Sequence, residues 1–213
     1  MSTQIGIISD VHATPQPVKE ALELFKHHGV DHILCAGDIA GYGVELDETI
    51  ELLIEHQCIS ILGNHDEWLL EKNQDKQFNS SLDYLSQLPA AIELEYEGKK
   101  LYLVHSSPSG SQLQGIRLLD ENGDRIENEF DYWQQYLKEF DFDVLVIGHT
   151  HQTYAEQIGN ALVINPGSTK FNHSCAILSL PEMKVKFFAL SGKNIQPVWN
   201  WRDFIIKQDN NDM

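Results

Sequence analysis

Apolar positions along this chain fall into two patterns. Residues 4–9 (QIGIIS), 32–37 (HILCAG), 58–63 (CISILG) and 143–148 (DVLVIG) are short, nearly continuous runs of Ile, Leu, Val and Cys, as strands buried on both faces are. Between the early runs, residues 15–28 place Val18, Ala21, Leu22 and Phe25 at helical spacing and stop at Gly29; residues 46–56 read as a second amphipathic helix. Strand, helix, strand, helix, strand with short connections predicts parallel pairing. The second half changes character. Residues 90–105 alternate about the turn Glu97-Gly98-Lys99, which predicts an antiparallel hairpin, and residues 153–157, 161–165, 175–180 and 185–190 read as short strands. The expected fold is α/β: a four-layer α-β-β-α sandwich with two packed mixed sheets. Residues 1–206 read as one domain, 106–129 as a polar loop or insertion, and 207–213 as a frayed tail.

Composition narrows this picture. With 213 residues and 42% hydrophobic content, one substantial core is within reach. No apolar run approaches the roughly 20 residues that span a bilayer, and the opening MSTQIGIISD has no basic, cleavable leader pattern. A soluble, cytoplasmic protein is expected, with no membrane partner. Cys35, Cys58 and Cys175 sit in apolar runs without any CxxC, so buried free thiols are expected rather than a thiolate metal site. The net charge of -17 disfavours duplex nucleic acid, which wants clustered Lys and Arg. An acidic protein that handles phosphate would take its local positive charge from bound cations.

Candidate chemistry lies where the apolar runs stop. Asp10 and His12 follow the first, Asp38 the second, and Asn64, His65 and Asp66 the third; His105 follows LYLV, and His149 and His151 follow DVLVIG. Ligands of open α/β sheets bind outside the carboxyl ends of the strands, where side chains distant in sequence converge. Singly, each residue has an ordinary explanation: Asp10 or Asp38 as a helix cap, His105 as a partly buried, hydrogen-bonded histidine. Repetition at strand after strand favours a metal site. Imidazole and carboxylate donors suit Mn, Fe, Zn, Co or Ni, and they are too many for one tetrahedral zinc. A carboxylate can bridge two ions about 3.5–4 Å apart, the usual clamp for attack on phosphorus, and Asp38 is the candidate bridge.

The motifs DVHA (10–13), GDIAGYG (37–43), GNHDEW (63–68), His105, GHTH (148–151) and NPGS (165–168), in this order, resemble the calcineurin-like metallophosphoesterase superfamily. They are most similar to its small bacterial and archaeal YfcE-like phosphodiesterase branch, from residue 5 to about residue 190. The resemblance implies that Asp10, His12, Asp38 and His151 hold one metal and that Asp38, Asn64, His105 and His149 hold the other. It implies that His65 is the catalytic histidine, paired with Asp66; the other reading of Asp66 is a cap for a helix beginning near Trp68. After NPGS the chain runs TKFNHS instead of the Pro-Arg common in relatives, so Lys170 and His173 are candidates for positive charge there.

The expected function is hydrolysis of small phosphodiesters by hydroxide generated between two divalent cations, manganese favoured, with His65 protonating the leaving group. No arginine follows either GD or GNHD, which suits a monoanionic diester better than a monoester. The alternatives are a phosphomonoesterase or protein phosphatase, a dinucleoside polyphosphate hydrolase, and a non-catalytic scaffold like the retromer subunit of this fold. Substrate-binding residues and oligomeric state are not specified by the pattern.

Overall fold

The computed structural model describes residues 2–74, 79–111 and 114–199. In the first half, β1 (Thr3–Ile8), α1 (Pro15–His27), β2 (His32–Cys35), α2 (Leu46–Glu55) and β3 (Ile59–Ser60) alternate as the sequence predicts. Two short helices follow, α3 (Asn64–Lys72) and α4 (Ser80–Ser86). The hairpin is β4 (Ala91–Tyr96) and β5 (Lys99–Val104). After it, α5 (Glu127–Tyr136) leads to β6 (Val144–Val146), β7 (Thr153–Ile158), β8 (Ala161–Pro166), β9 (Ser174–Leu180) and β10 (Lys184–Ala189). The tail expected at 207–213 lies outside the described residues, as does the end of the expected domain.

The strands form two five-stranded mixed sheets, ordered β10-β9-β1-β2-β3 and β4-β5-β6-β8-β7. β1, β2 and β3 are parallel neighbours, and so are β5, β6 and β8; the flanking strands pair antiparallel. Side-chain alternation divides the core into three layers. Ile5 and Ile7 meet Val144, Val146, Leu162 and Ile164 between the sheets. Ile8 turns the other way, onto Val18, Ala21, Leu22 and Phe25 of α1. Leu145, Ile147 and Val163 face Phe130 and Trp133 of α5. Helices, sheet, sheet, helix: the four layers are as predicted. Strands β1 and β6 bury both faces along most of their length, which is why they read as continuous apolar runs; β8, read only as a short strand, is buried on both faces too.

Two elements differ from expectation. β3 has two paired residues, where the sequence suggested six, because it is an edge strand whose ladder to β2 stops at Ser60. The polar segment 106–129 is not a loose loop throughout: α5 starts inside it, and Ile116 and Leu118 are fully buried in the α5 layer. Charged neighbours had masked these two anchors. The three cysteines are free thiols; Cys35 and Cys175 are buried and Cys58 is half-buried. Among the described residues, no helix is long and apolar enough to cross a membrane.

Helix α1 comes closest to β1 at Gly6. A Cβ on Gly6 would lie 2.6 Å from the ring of Phe25, which is itself fully buried. Gly6→Ala should therefore destabilise the protein by about 1–3 kcal/mol through overpacking, read as a lower denaturant midpoint. An unchanged midpoint would mean that the ring can give way.

Candidate metal centre and cleft

Trailing loops of β1, β2, β3, β5 and β6 meet at one edge of the sandwich and carry the residues singled out from sequence. Asp10, His12, Asp38, Asn64, His105 and His151 are buried there; His65 and His149 are half-buried. Backbone φ is positive at Asp10 (51°), His12 (48°), Asp38 (52°), His149 (65°) and His151 (48°). Side chains other than glycine avoid this region, so the cluster marks a backbone bent to aim donors at common points.

The donors come in two sets. In the first, His12 Nε2 lies 3.1 Å from His151 Nε2, and His151 Nε2 lies 3.2 Å from Asp10 Oδ1. In the second, Asn64 Oδ1 lies 2.7 Å from His149 Nδ1 and 3.1 Å from His105 Nε2, which is 3.4 Å from Asp38 Oδ1. Ligands about 2.1 Å from one ion, at octahedral to tetrahedral angles, stand roughly 3.0–3.4 Å apart. Asp38 also groups with His12 and His65, and with Asp10 and His105, so it stands between the sets. Two of the imidazoles are held with Nε2 free to ligate. His12 Nδ1 donates to the Ala40 carbonyl at 3.1 Å and His105 Nδ1 to the Ala36 carbonyl at 2.7 Å, which turns each Nε2 inward.

Electrostatics call for a cation at this point. Burial would raise the Asp10 and Asp38 carboxyls, but His151 beside Asp10 and His105 beside Asp38 hold both below the ordinary carboxylate range. Burial pushes His12 down to about 3, against Asp38 and Asp10, so this ring offers a lone pair. His105 goes the other way: Asp38 overcomes its burial and pushes it up to about 10. Two buried anions thus draw a proton onto a donor nitrogen. The donor set, its spacing and its charge fit a pair of divalent ions.

Above these donors opens a cleft of about 460 Å³, lined by Tyr42, His65, Trp68, Gly115, Arg117, Thr150 and Trp199 among others. No arginine follows GD or GNHD, yet Arg117 reaches the cleft from a distant segment, so the charge argument drawn from that absence does not hold. This arginine comes from the segment before α5, between the buried anchors Ile116 and Leu118, whose alternation turns Arg117 outward. That segment is pinned to the GHTH loop. Gln152 Oε1 accepts from the amides of Leu118 (2.9 Å) and Leu119 (3.1 Å), and a Cβ on Gly115 would lie 2.5 Å from Thr150. The apolar residues at 116 and 118 were the sequence signal for this approach.

The TKFNHS departure also finds its reason. Phe171 stacks on His151 at 5.3 Å and on Trp199 at 4.1 Å. Asn172 Nδ2 donates to the His151 carbonyl (2.8 Å) and the Gln196 carbonyl (2.7 Å), tying the segment that bears Trp199 to the metal loop. Lys170 is half-buried, with Nζ 5.3 Å from the Phe171 ring and 5.9 Å from the Tyr42 ring; burial lowers its pKa. His173 is half-buried, and neither residue is among those lining the cleft. A larger groove, about 590 Å³, runs along the β4–β5 hairpin beside Phe140 and Phe142, away from every one of these donors.

Comparison with known proteins agrees with the geometry. Residues 3–182 match the calcineurin-like phosphoesterase superfamily domain. The chain belongs to that superfamily. An uncharacterised protein of Methanocaldococcus jannaschii, MJ0912, is 27% identical over 183 residues, covering 78% of this chain and 70% of that one. Phosphodiesterase YfcE of Escherichia coli K12 is 26% identical over 170 residues, covering 75% and 76%. In fold, the chain is similar to the hypothetical protein PH1004 of Pyrococcus horikoshii, with a TM-score of 0.70 at 15% identity over 99% and 94% of the two chains.

One expected feature of this calcineurin-like site is different. The resemblance implied that Asp66 orients His65, and the other reading made Asp66 the cap of a helix beginning near Trp68. α3 in fact begins at Asn64, which makes Asp66 its third residue. Consecutive helical side chains do not face each other. The Asp66 carboxylate accepts instead from the amides of Gly63 (2.9 Å), Ile39 (3.1 Å) and Ala40 (2.6 Å), capping α3 and clamping it to the GDIAGYG loop. Burial, with Asp38 nearby, pushes the Asp66 carboxyl up to about 7 against the pull of these amides. The His65 ring lies against Tyr42 (4.8 Å), Trp68 (4.9 Å) and His12 (5.0 Å). Asp66→Ala should therefore cost fold stability, about 3 kcal/mol for three buried amides left without an acceptor. Thermal unfolding checks this: a variant with wild-type Tm and lowered turnover would restore the orienting role.

Proposed function

We propose that this phosphoesterase is a two-metal phosphodiesterase, and the observation that carries the proposal is Asp38 standing between two donor sets of ligand spacing. Asp10, His12, Asp38 and His151 would hold one ion, and Asp38, Asn64, His105 and His149 the other. Bound divalent cations supply Lewis acidity, acidifying water and neutralising phosphoryl charge. The chain supplies the rest. His65 projects into the cleft and is the general acid for the leaving oxygen. Burial lowers its pKa, partly offset by Asp38 and Asp10, so its imidazolium yields a proton readily and is the minor form at neutral pH.

The diester preference no longer rests on a lack of arginine. It is supported by the relative named phosphodiesterase YfcE and by a cleft with room for a second ester arm. Manganese is the favoured metal, since mixed oxygen and imidazole donors suit it. A cytoplasmic setting suits the free thiols. Duplex nucleic acid is a poor partner for a chain of net charge -17.

The decisive experiment loads the protein with Mn²⁺. Elemental analysis should approach two equivalents, Asp38→Ala should lose both, and kcat/KM for bis-p-nitrophenyl phosphate should exceed that for p-nitrophenyl phosphate. A monoester advantage of about tenfold, about 1.4 kcal/mol, would overturn the diester assignment. Two ions retained by Asp38→Ala would remove the bridge.

A separate measurement addresses His65. His65→Ala should keep its metals and lose turnover by about 10²–10⁴-fold on a poor leaving group. The loss should shrink for p-nitrophenolate, which scarcely needs protonation. Equal losses on both would contradict the general acid.

A further inference from the structure

The cleft has two unlike walls that hydrolysis of a phosphodiester does not by itself require. One comes from the first sheet: Trp68, one turn after His65 on α3, is 49% exposed, yet lines the cleft with its ring 4.9 Å from that of His65. The neighbouring loop adds Tyr42, whose phenol burial keeps neutral, with a pKa pushed up to about 12. The other wall comes from the second sheet and carries Arg117, the one lysine or arginine among the described lining residues. Nearby Gly115 lies against the GHTH loop, and buried Ile116 and Leu118 hold Arg117 at the mouth. A half-exposed tryptophan on one side and a lone guanidinium on the other, in a protein of net charge -17, are recognition features.

We propose that the cleft takes a nucleotide: the base lies on Trp68, and phosphate charge beyond the scissile group meets Arg117. The inference rests on the two-metal phosphodiesterase reading and names its substrate class. A flat, π-faced group gains from an indole platform, as bases do on aromatic side chains. An aliphatic arm such as glycerol would leave the indole no such partner. Guanidinium is the natural fork for a further phosphate. Substrates with both features are nucleoside polyphosphates and their diesters.

The test is equilibrium binding to the Mn²⁺-loaded full chain by calorimetry, which needs no turnover. AMP should bind at least about tenfold tighter than ribose 5-phosphate, the share expected of one stacked base. Trp68→Ala should erase that difference and Trp68→Phe should keep most of it. ADP should bind tighter than AMP, and Arg117→Gln should remove the gain. Equal binding of AMP and ribose 5-phosphate by the wild type would overturn the proposal without any variant. A base advantage that survives Trp68→Ala, or an ADP advantage that survives Arg117→Gln, would overturn it too. Hydrolysis of bis-p-nitrophenyl phosphate is measured alongside. Turnover without base preference defeats this inference alone, and base-dependent binding without turnover defeats the hydrolase reading while the nucleotide site stands.

Discussion

Two carboxylates nearly cut off from water, Asp10 and Asp38, constrain everything around them. An ion buried without partners costs several kcal/mol, so each must be surrounded by donors. Ser9 Oγ donates to Asp10 at 2.6 Å, and the amide of His149 reaches the same carboxylate across the two sheets at 3.1 Å. The amide of His65 donates to Asp38 at 2.8 Å. These contacts do more than solvate charge. They fix the GHTH loop of the second sheet, and the start of α3, against strand ends of the first. Meeting the needs of the anions therefore assembles the donor cluster.

A second tier holds that cluster in its strained backbone. Asn165 of the NPGS loop donates to the Gly148 carbonyl (2.9 Å) and to Thr150 Oγ1 (3.0 Å), and Ser168 Oγ donates to the Asp10 carbonyl at 2.6 Å. Asn172 then grips the His151 carbonyl from the next turn of chain. Positive φ at five donor-bearing positions is tolerable because these braces over-determine it. Loop after loop has little freedom of its own; the rigidity comes from hydrogen bonds between loops that are distant in sequence.

The candidate donors were legible because their signal is local: an apolar strand that stops on Asp, Asn or His is unusual, and here it recurs. Four-layer packing was legible because the strand-helix alternation of the first half gives way to a hairpin and short strands in the second. Arg117 and Trp199 were not, because their place depends on Gln152 gripping the segment before α5 and on Asn172 holding the C-terminal segment. Neither contact leaves a periodic trace. Of the two readings of Asp66, the cap is the one its hydrogen bonds fit, although the helix begins earlier than expected. GNHDEW looks like a loop of chemical residues, yet it is also a helix start with an acid at the third position, as a capping box requires. Once α3 begins at Asn64, adjacent His65 and Asp66 must diverge.

Divergence of these neighbours also explains how the site divides its charge. Asp66 turns back into the protein and is answered by amides, so it adds little field to the cleft. Asp38 at the cleft and Asp10 buried beneath it remain as its anions, and they draw a proton toward His105. A phosphate approaching this floor before any cation would meet two anions and one compensating charge. Divalent cations held by these donors would reverse that sign. Arg117 stands outside this exchange, on the far wall and on a segment with its own anchors. Its charge does not depend on which ions the donors hold, so the cleft keeps one cationic side chain apart from the donor cluster.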